Sequence, residues 1–242
     1  MFTYIFKNIL SGIKGKMIGI IGATSIEIQF IKDNVFIESK EKYAGFEFYI
    51  CKYKNINLVL TRCSVGKVNA SSCTQILIDK FNIKKLINVG IAGSLNNNVN
   101  LGDIVISDNI TYHDVSPYQM KNCFPFKKTF SSCDEFKEIA LKAYEISDLK
   151  DYNCHIGKII TGDIYIDDTD IRNNLINIYS PYCVDMEGAA IAHVCDINDI
   201  PFINIKSISD KADDNASIAF KEFEVIASNN SAKLAKAMLD FM

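Results

Sequence analysis

The sequence predicts an α/β fold: a three-layer α/β/α sandwich around a central mixed, largely parallel sheet. Three observations carry this. Short apolar, β-branched runs recur along the chain, several of them ending in glycine or a carboxylate. Segments with apolar residues at helical spacing lie between these runs. No internal repeat, low-complexity stretch or linker divides the alternation, and 242 residues at 48% hydrophobic content suffice for one large core. Strands buried on both faces and alternating with helices fit a sheet covered on both sides.

Residues 1–16, MFTYIFKNILSGIKGK, stand apart as an N-terminal extension. Phe2, Ile5, Phe6, Ile9, Leu10 and Ile13 fall at helical spacing with Lys7, Lys14 and Lys16 between them. The apolar runs are too short for a signal peptide or a membrane span, which leaves an interfacial basic helix or an early start site. The domain proper is expected over 17–242.

MIGIIGA (17–23) reads as a buried strand and leads into SIEIQFIKD, where Ile26, Phe30 and Ile31 mark a helix. Alternating segments at 46–52 and 56–63 read as neighbouring strands. A helix is expected over 68–82 and a buried strand with a glycine-rich end over 84–93. Strand character returns at 102–114, before a loop carrying Pro117 and Pro125. Residues 132–147 read as a capped amphipathic helix, and 154–163 and 182–186 as strands. The small-residue segment 187–199 suits a helix packed closely on a sheet, 201–210 a strand, and 217–242 a long closing helix.

Composition removes several function classes. Charged residues make up 23% and the formal net charge is −3, without a Lys/Arg cluster, so nucleic acid is not an expected partner. The eight cysteines form no CxxC pair and sit mostly in apolar runs, as small buried groups in a reduced cytoplasm would. With three histidines, no metal site is expected. No GxGxxG follows the first strand and nothing matches a P-loop, so ATP and NAD are not expected and no cofactor is predicted.

Ligands of such folds sit beyond the carboxyl ends of strands. Glu27, Gly90-Ile91-Ala92-Gly93, Met186-Glu187 and Ser209-Asp210 occupy such positions. A buried apolar run ending in a carboxylate is costly unless that carboxylate is paired or used, which singles out Asp210. Glu27 and Glu187 also fit an acid in the first turn of a helix, and Asp210 also fits a cap.

Read in order, IGIIGA with Glu27 five residues after Gly22, SVGKVNA (64–70), NVGIAGSL (88–95), LGDIVISD (101–108), YHD (112–114), TGDIYI (161–166), VDMEGAAIAHVC (184–195) and SISDKAD (207–213) form a register. In this register the chain resembles the 5′-methylthioadenosine/S-adenosylhomocysteine nucleosidases of the purine nucleoside phosphorylase-like superfamily, over about 17–242. The resemblance implies hydrolysis of an adenine nucleoside's N-glycosidic bond, with Asp210 protonating N7 and Ser209 orienting it. Glu27 would be the base that activates water. Glu187 would bind the ribose hydroxyls, with Met186 packed on the sugar. Tyr165 would stack on adenine, Ile166 would offer backbone hydrogen bonds to the base edge, and Val65 and Phe220 would flank the 5′ substituent. A cytoplasmic homodimer acting on a small-molecule nucleoside, without stable membrane insertion, is implied as well; the 117–125 loop is a plausible source of contacts between subunits.

The chain departs from that pattern at two positions. Ile91 stands where the family usually has Ser, and Lys206 where it usually has Arg; both are expected near the nucleophile. These changes do not point cleanly toward phosphorolysis, because a phosphate site wants more donors. The rival functions are a phosphate-dependent purine nucleoside phosphorylase of the same fold, and a catalytically weakened nucleoside-binding homologue made inactive by Ile91 and Lys206.

Overall fold

The computed structural model describes residues 17–242, so the extension read at 1–16 lies outside the described residues. The expected order of strands and helices is present. The first strand, β1 (Ile18–Gly22), is followed by α1 (Ser25–Asp33), then β2 (Phe36–Tyr43), β3 (Phe46–Tyr53), β4 (Ile56–Arg62), α2 (Lys67–Phe81) and β5 (Lys85–Ser94). The second half runs β6 (Ile104–Tyr112), α3 (Pro117–Asn122), β7 (Phe130–Ser131), α4 (Asp134–Ile146), β8 (Cys154–Thr161), α5 (Thr169–Tyr179), β9 (Cys183–Asp185), α6 (Gly188–Ile197), β10 (Phe202–Asp210) and α7 (Ala216–Met238).

Side-chain alternation along the strands creates two cores. On one face Ile21, Val59, Leu86 and Phe202 pack against Cys73 and Leu77 of α2 and Ala189 to Ala192 of α6. On the other, Ile18, Ile20, Leu58, Ile87 and Val89 meet Ile28 and Ile31 of α1, Phe136 and Ala140 of α4 and Leu234 and Met238 of α7. These are the three layers. The small residues of α6 let it lie close on the sheet: a Cβ at Gly188 would stand 2.6 Å from an Asp185 oxygen.

The sheet is mixed. β1 pairs in parallel with β4 and β5, β5 with β10, and β6 and β9 with β8, while β2, β3 and β4 form an antiparallel extension. One half of the sheet also closes on itself. β10 pairs with β5 on one side and antiparallel with β6 on the other, and β9 returns antiparallel to β5. The five strands β5–β10–β6–β8–β9 thus form a closed ring, and all nine residues of β10 are buried.

Four elements had no counterpart in the sequence reading: β2, α3, β7 and α5. Seven of the eight β2 side chains are exposed, so its FIESKEKY shows no apolar periodicity. α5, TDIRNNLINIY, buries only Leu175 among its residues. α3 occupies part of the expected loop, with Pro117 at its first turn, where the absent N–H costs nothing. No helix among the described residues is long and apolar enough to cross a membrane, and all eight cysteines are free.

Candidate active site

A cavity of about 120 Å³ opens where the ends of β1, β5, β9 and β10 meet the loop after β8. Glu27, Ile91, Met186, Glu187, Ser209 and Asp210 line its inner part. Val65, Tyr165, Ile166 and Phe220 line the rest. The walls are mainly apolar, with the carboxyl groups of Glu27, Asp185, Glu187 and Asp210 among the lining residues.

Glu27 is 2% exposed and sits at the third position of α1. Its side chain completes a capping box with Thr24, accepting the Thr24 N–H at 2.8 Å while Thr24 Oγ1 accepts the Glu27 N–H. The same oxygen, Oε2, accepts the Ala23 N–H at 2.6 Å. Oε1 reaches across to β5 and accepts the Ile91 N–H at 3.0 Å. The helix-terminus role and the placement in the cavity are therefore compatible. Ile91 contributes its backbone here, and its apolar side chain faces the cavity.

Asp210 ends β10, where the strand register shifts against β5. Ser209 Oγ donates to its Oδ2 at 2.8 Å and the Ala212 N–H to its Oδ1 at 2.8 Å. Burial pushes the Asp210 carboxyl above the usual carboxylate range, against the opposing pull of these two donors. Gly93 leaves the space this requires, since a Cβ there would stand 2.8 Å from Asp210 Oδ1.

Glu187 links β9 to α6 and accepts the Gly66 N–H at 2.9 Å. Burial, reinforced by Asp185 and Glu27, outweighs the attraction of Lys206 and raises its carboxyl to about 7. At the mouth, Tyr165 meets Phe220 edge-on with ring centroids 6.2 Å apart. Val65 and Tyr165 remain partly exposed, whereas Ile166 is buried.

Lys206, expected near the nucleophile, lies close to Glu27 at Gly90, but its side chain is 1% exposed, is not among those lining the cavity, and pairs through Nζ with Asp185 Oδ2 at 3.0 Å. The register sets Lys206 beside Gly90, where a Cβ would stand 3.0 Å from its Nζ. Burial opposes its charge, but Asp185, Glu187 and Glu27 together overcome that and hold the ammonium protonated well above its ordinary range. Lys206 thus acts on the site through charge.

Asp185 and Thr24 are site residues that the sequence reading passed over. Asp185 lines the cavity, accepts from Thr161 Oγ1 and the Gly188 N–H, and anchors Lys206. Its signal was an apolar strand ending in a carboxylate, the same one that pointed to Asp210. Thr24 was legible as the first residue of a T-x-x-E capping box. Among the described residues no group of three or more His, Cys, Asp or Glu is arranged to hold a metal ion.

Residues 17–240 match the family model of the phosphorylase superfamily. A 5′-methylthioadenosine/S-adenosylhomocysteine nucleosidase of Staphylococcus haemolyticus is 35% identical over 229 residues, covering 92% of this chain and 99% of the relative. The Neisseria meningitidis enzyme of that name, solved with methylthio-immucillin-A, superposes with a TM-score of 0.88 at 28% identity, covering 94% and 100% of the two chains. A futalosine hydrolase of Helicobacter pylori has a TM-score of 0.87 at 25% identity, covering 94% and 98%. The chain belongs to the phosphorylase superfamily and, within it, to the 5′-methylthioadenosine/S-adenosylhomocysteine nucleosidases.

Proposed function

We propose that this protein hydrolyses the N-glycosidic bond of 5′-methylthioadenosine and S-adenosylhomocysteine, releasing adenine and the 5′-thio-substituted ribose. The reading rests most on Glu27. Its carboxylate already takes the N–H groups of Ala23, Thr24 and Ile91 at 2.6, 2.8 and 3.0 Å. A phosphate nucleophile needs such donors and a free cation. Here the donors hold a carboxylate, and the buried Lys206 is paired with Asp185. Phosphate would also approach two further carboxyl groups, Glu187 and Asp185. Water meets no such repulsion, and this disfavours phosphorolysis.

In the proposed reaction the C1′–N9 bond breaks and its electron pair passes into the base. Asp210, whose carboxyl burial shifts toward holding a proton, delivers that proton to N7, and positive charge develops on the ribose. Water bonds to C1′ and gives its proton to Glu27. The site ends the cycle with Glu27 protonated and Asp210 ionised, and solvent restores both. Glu187 holds the ribose hydroxyls, with Met186 against the sugar. Tyr165 stacks on the base, a contact worth roughly 1–3 kcal/mol, and Ile166 meets the base edge through its backbone. Val65 and Phe220 form the apolar 5′ side suited to a thioether. The test is the sugar product formed in phosphate buffer: free 5-methylthioribose is expected, and its 1-phosphate would contradict the proposal.

We also propose a cytoplasmic homodimer. Tyr118, Phe124 and Phe126 are 76%, 71% and 64% exposed on one short segment, a density of apolar surface that marks contact sites. Eight free thiols suit a reducing compartment. Sedimentation of the wild type and of Phe124→Asp tests the dimer: a lighter variant supports this face, and a monomeric wild type refutes it.

A further inference from the structure

Helix α2 begins without a cap of its own. Gly66 precedes it at φ +99, and no side chain of the preceding loop accepts from its first turn. Orphan N–H groups at a helix start need acceptors. Here two carboxylates from distant elements supply them: the Gly66 N–H donates to Glu187 at 2.9 Å, and the next N–H, that of Lys67, donates to Asp163 Oδ1 at 2.8 Å. The Lys67 ammonium donates to Asp114 Oδ2 at 2.6 Å and lies 3.7 Å from Asp163 Oδ2. Asp114 Oδ2 in turn accepts the Asp163 N–H at 2.9 Å. Three fragments of the chain, SVGKVNA, YHD and TGDIYI, therefore converge on one cation.

None of these three side chains lines the cavity, but two of them are sequence neighbours of residues that do. Val65 lies two residues before Lys67, and Ile164, Tyr165 and Ile166 follow Asp163 directly. The Lys67 and Asp114 side chains are 20% and 17% exposed, so the pair is shielded more than an ordinary surface ion pair. The cluster joins the loop after β4, which carries Val65, to the loop after β8, which carries Ile164, Tyr165 and Ile166; in the proposed function these are the 5′ and base sides of the cavity.

We propose that Lys67, acting through Asp114 and Asp163, is a positioning residue that holds the Val65–Gly66 loop against the Ile164–Ile166 loop and so sets the affinity for the nucleoside. This rests on the nucleosidase reading above. Without the latch the two loops sample arrangements in which the walls do not match a nucleoside. The bound substrate itself bridges the walls, so the loss falls on binding and largely spares the chemical step. If the competent arrangement drops to about one-tenth of molecules, apparent affinity falls about tenfold.

The test combines steady-state hydrolysis of methylthioadenosine with amide hydrogen exchange of the free protein, for the wild type, Lys67→Met, Asp114→Asn and Lys67→Arg. The Met and Asn variants should raise KM about tenfold with kcat changed by less than about threefold, and speed exchange at 66–67 and 163–166. Lys67→Arg, which keeps the charge, should restore both readouts. Asp114→Asn preserves the two helix N–H bonds and decides the matter if Lys67→Met fails to fold. Unchanged KM with unchanged exchange overturns the latch, as does a fall in kcat at constant KM. A wild type without turnover contradicts the nucleosidase reading, and exchange then decides the latch alone.

Discussion

A methyl group on Gly90 would stand 2.5 Å from Oε1 of Glu27 and 3.0 Å from Nζ of Lys206. The absence of a side chain on β5 is what allows the carboxylate from α1 and the ammonium from β10 to approach the same point. Gly90 therefore sets the position of the residue assigned to activate water, while the Ile91 N–H beside it fixes one oxygen.

Gly90→Ala should displace Glu27 and lower kcat by about a hundredfold, the usual cost of a misplacement near 1 Å. Overpacking should also reduce stability by about 1–3 kcal/mol. Parallel measurement of kcat and of the urea midpoint checks both, and an unchanged kcat would show that the slot does not position Glu27.

Lys206→Met removes the ammonium that pairs with Asp185 at 3.0 Å and leaves three carboxyl groups close together. Breaking a buried pair from one side costs about 3–5 kcal/mol. Urea unfolding should show that loss near neutral pH, where the uncompensated charge is greatest. A loss of the size seen for surface pairs, below about 1 kcal/mol, would mean that Lys206 is not the counter-charge of the site.

Stability should fall as pH rises toward neutrality. Glu187 titrates near 7 in the folded protein against 4.5 as its ordinary value, so between those values the folded state binds more protons than the unfolded one. The contribution of this carboxyl is complete below about 4.5 and is lost as pH passes through about 7. Burial of Asp210 acts in the same direction. Urea midpoints from pH 5 to pH 8 should decline less in Glu187→Gln than in wild type; equal slopes would contradict the assignment.

Ser209 lowers the pKa of Asp210 by donating to it at 2.8 Å. Ser209→Ala removes that donor, so the Asp210 proton should be held more tightly. The alkaline limb of kcat/KM should then move to higher pH, while loss of orientation lowers the plateau. A shift to lower pH would indicate that Asp210 is not the acid whose ionisation ends activity.

Most of the architecture was readable because its strands are continuous apolar runs with glycine or a carboxylate at their ends. IGIIG, KLINVGIAGS and FINIKSISD are almost wholly buried, and such runs announce themselves. The elements that escaped bury little: β2 faces outward, and α5 carries three asparagines and one buried leucine. Closure of the β5–β10–β6–β8–β9 ring was not legible either, because an apolar strand does not declare its neighbours. In the site, Glu27, Glu187 and Asp210 stood out as charges at the ends of strands. The pairing of Lys206 with Asp185 was not legible, because it depends on the register that sets Lys206 beside Gly90. Lys67, Asp114 and Asp163 were visible as parts of motifs, but their meeting depends on three loops distant in sequence.

The central claim is that water, activated by Glu27, attacks a nucleoside whose base is protonated by Asp210. Adenine release from methylthioadenosine in phosphate-free buffer, by wild type, Glu27→Gln and Asp210→Asn, tests it most directly. Turnover by the wild type without phosphate is predicted, with each variant slower by about 10²–10⁴-fold, the usual range for a lost general acid or base. A wild type that is silent until phosphate is added, or variants that keep full activity, would contradict it.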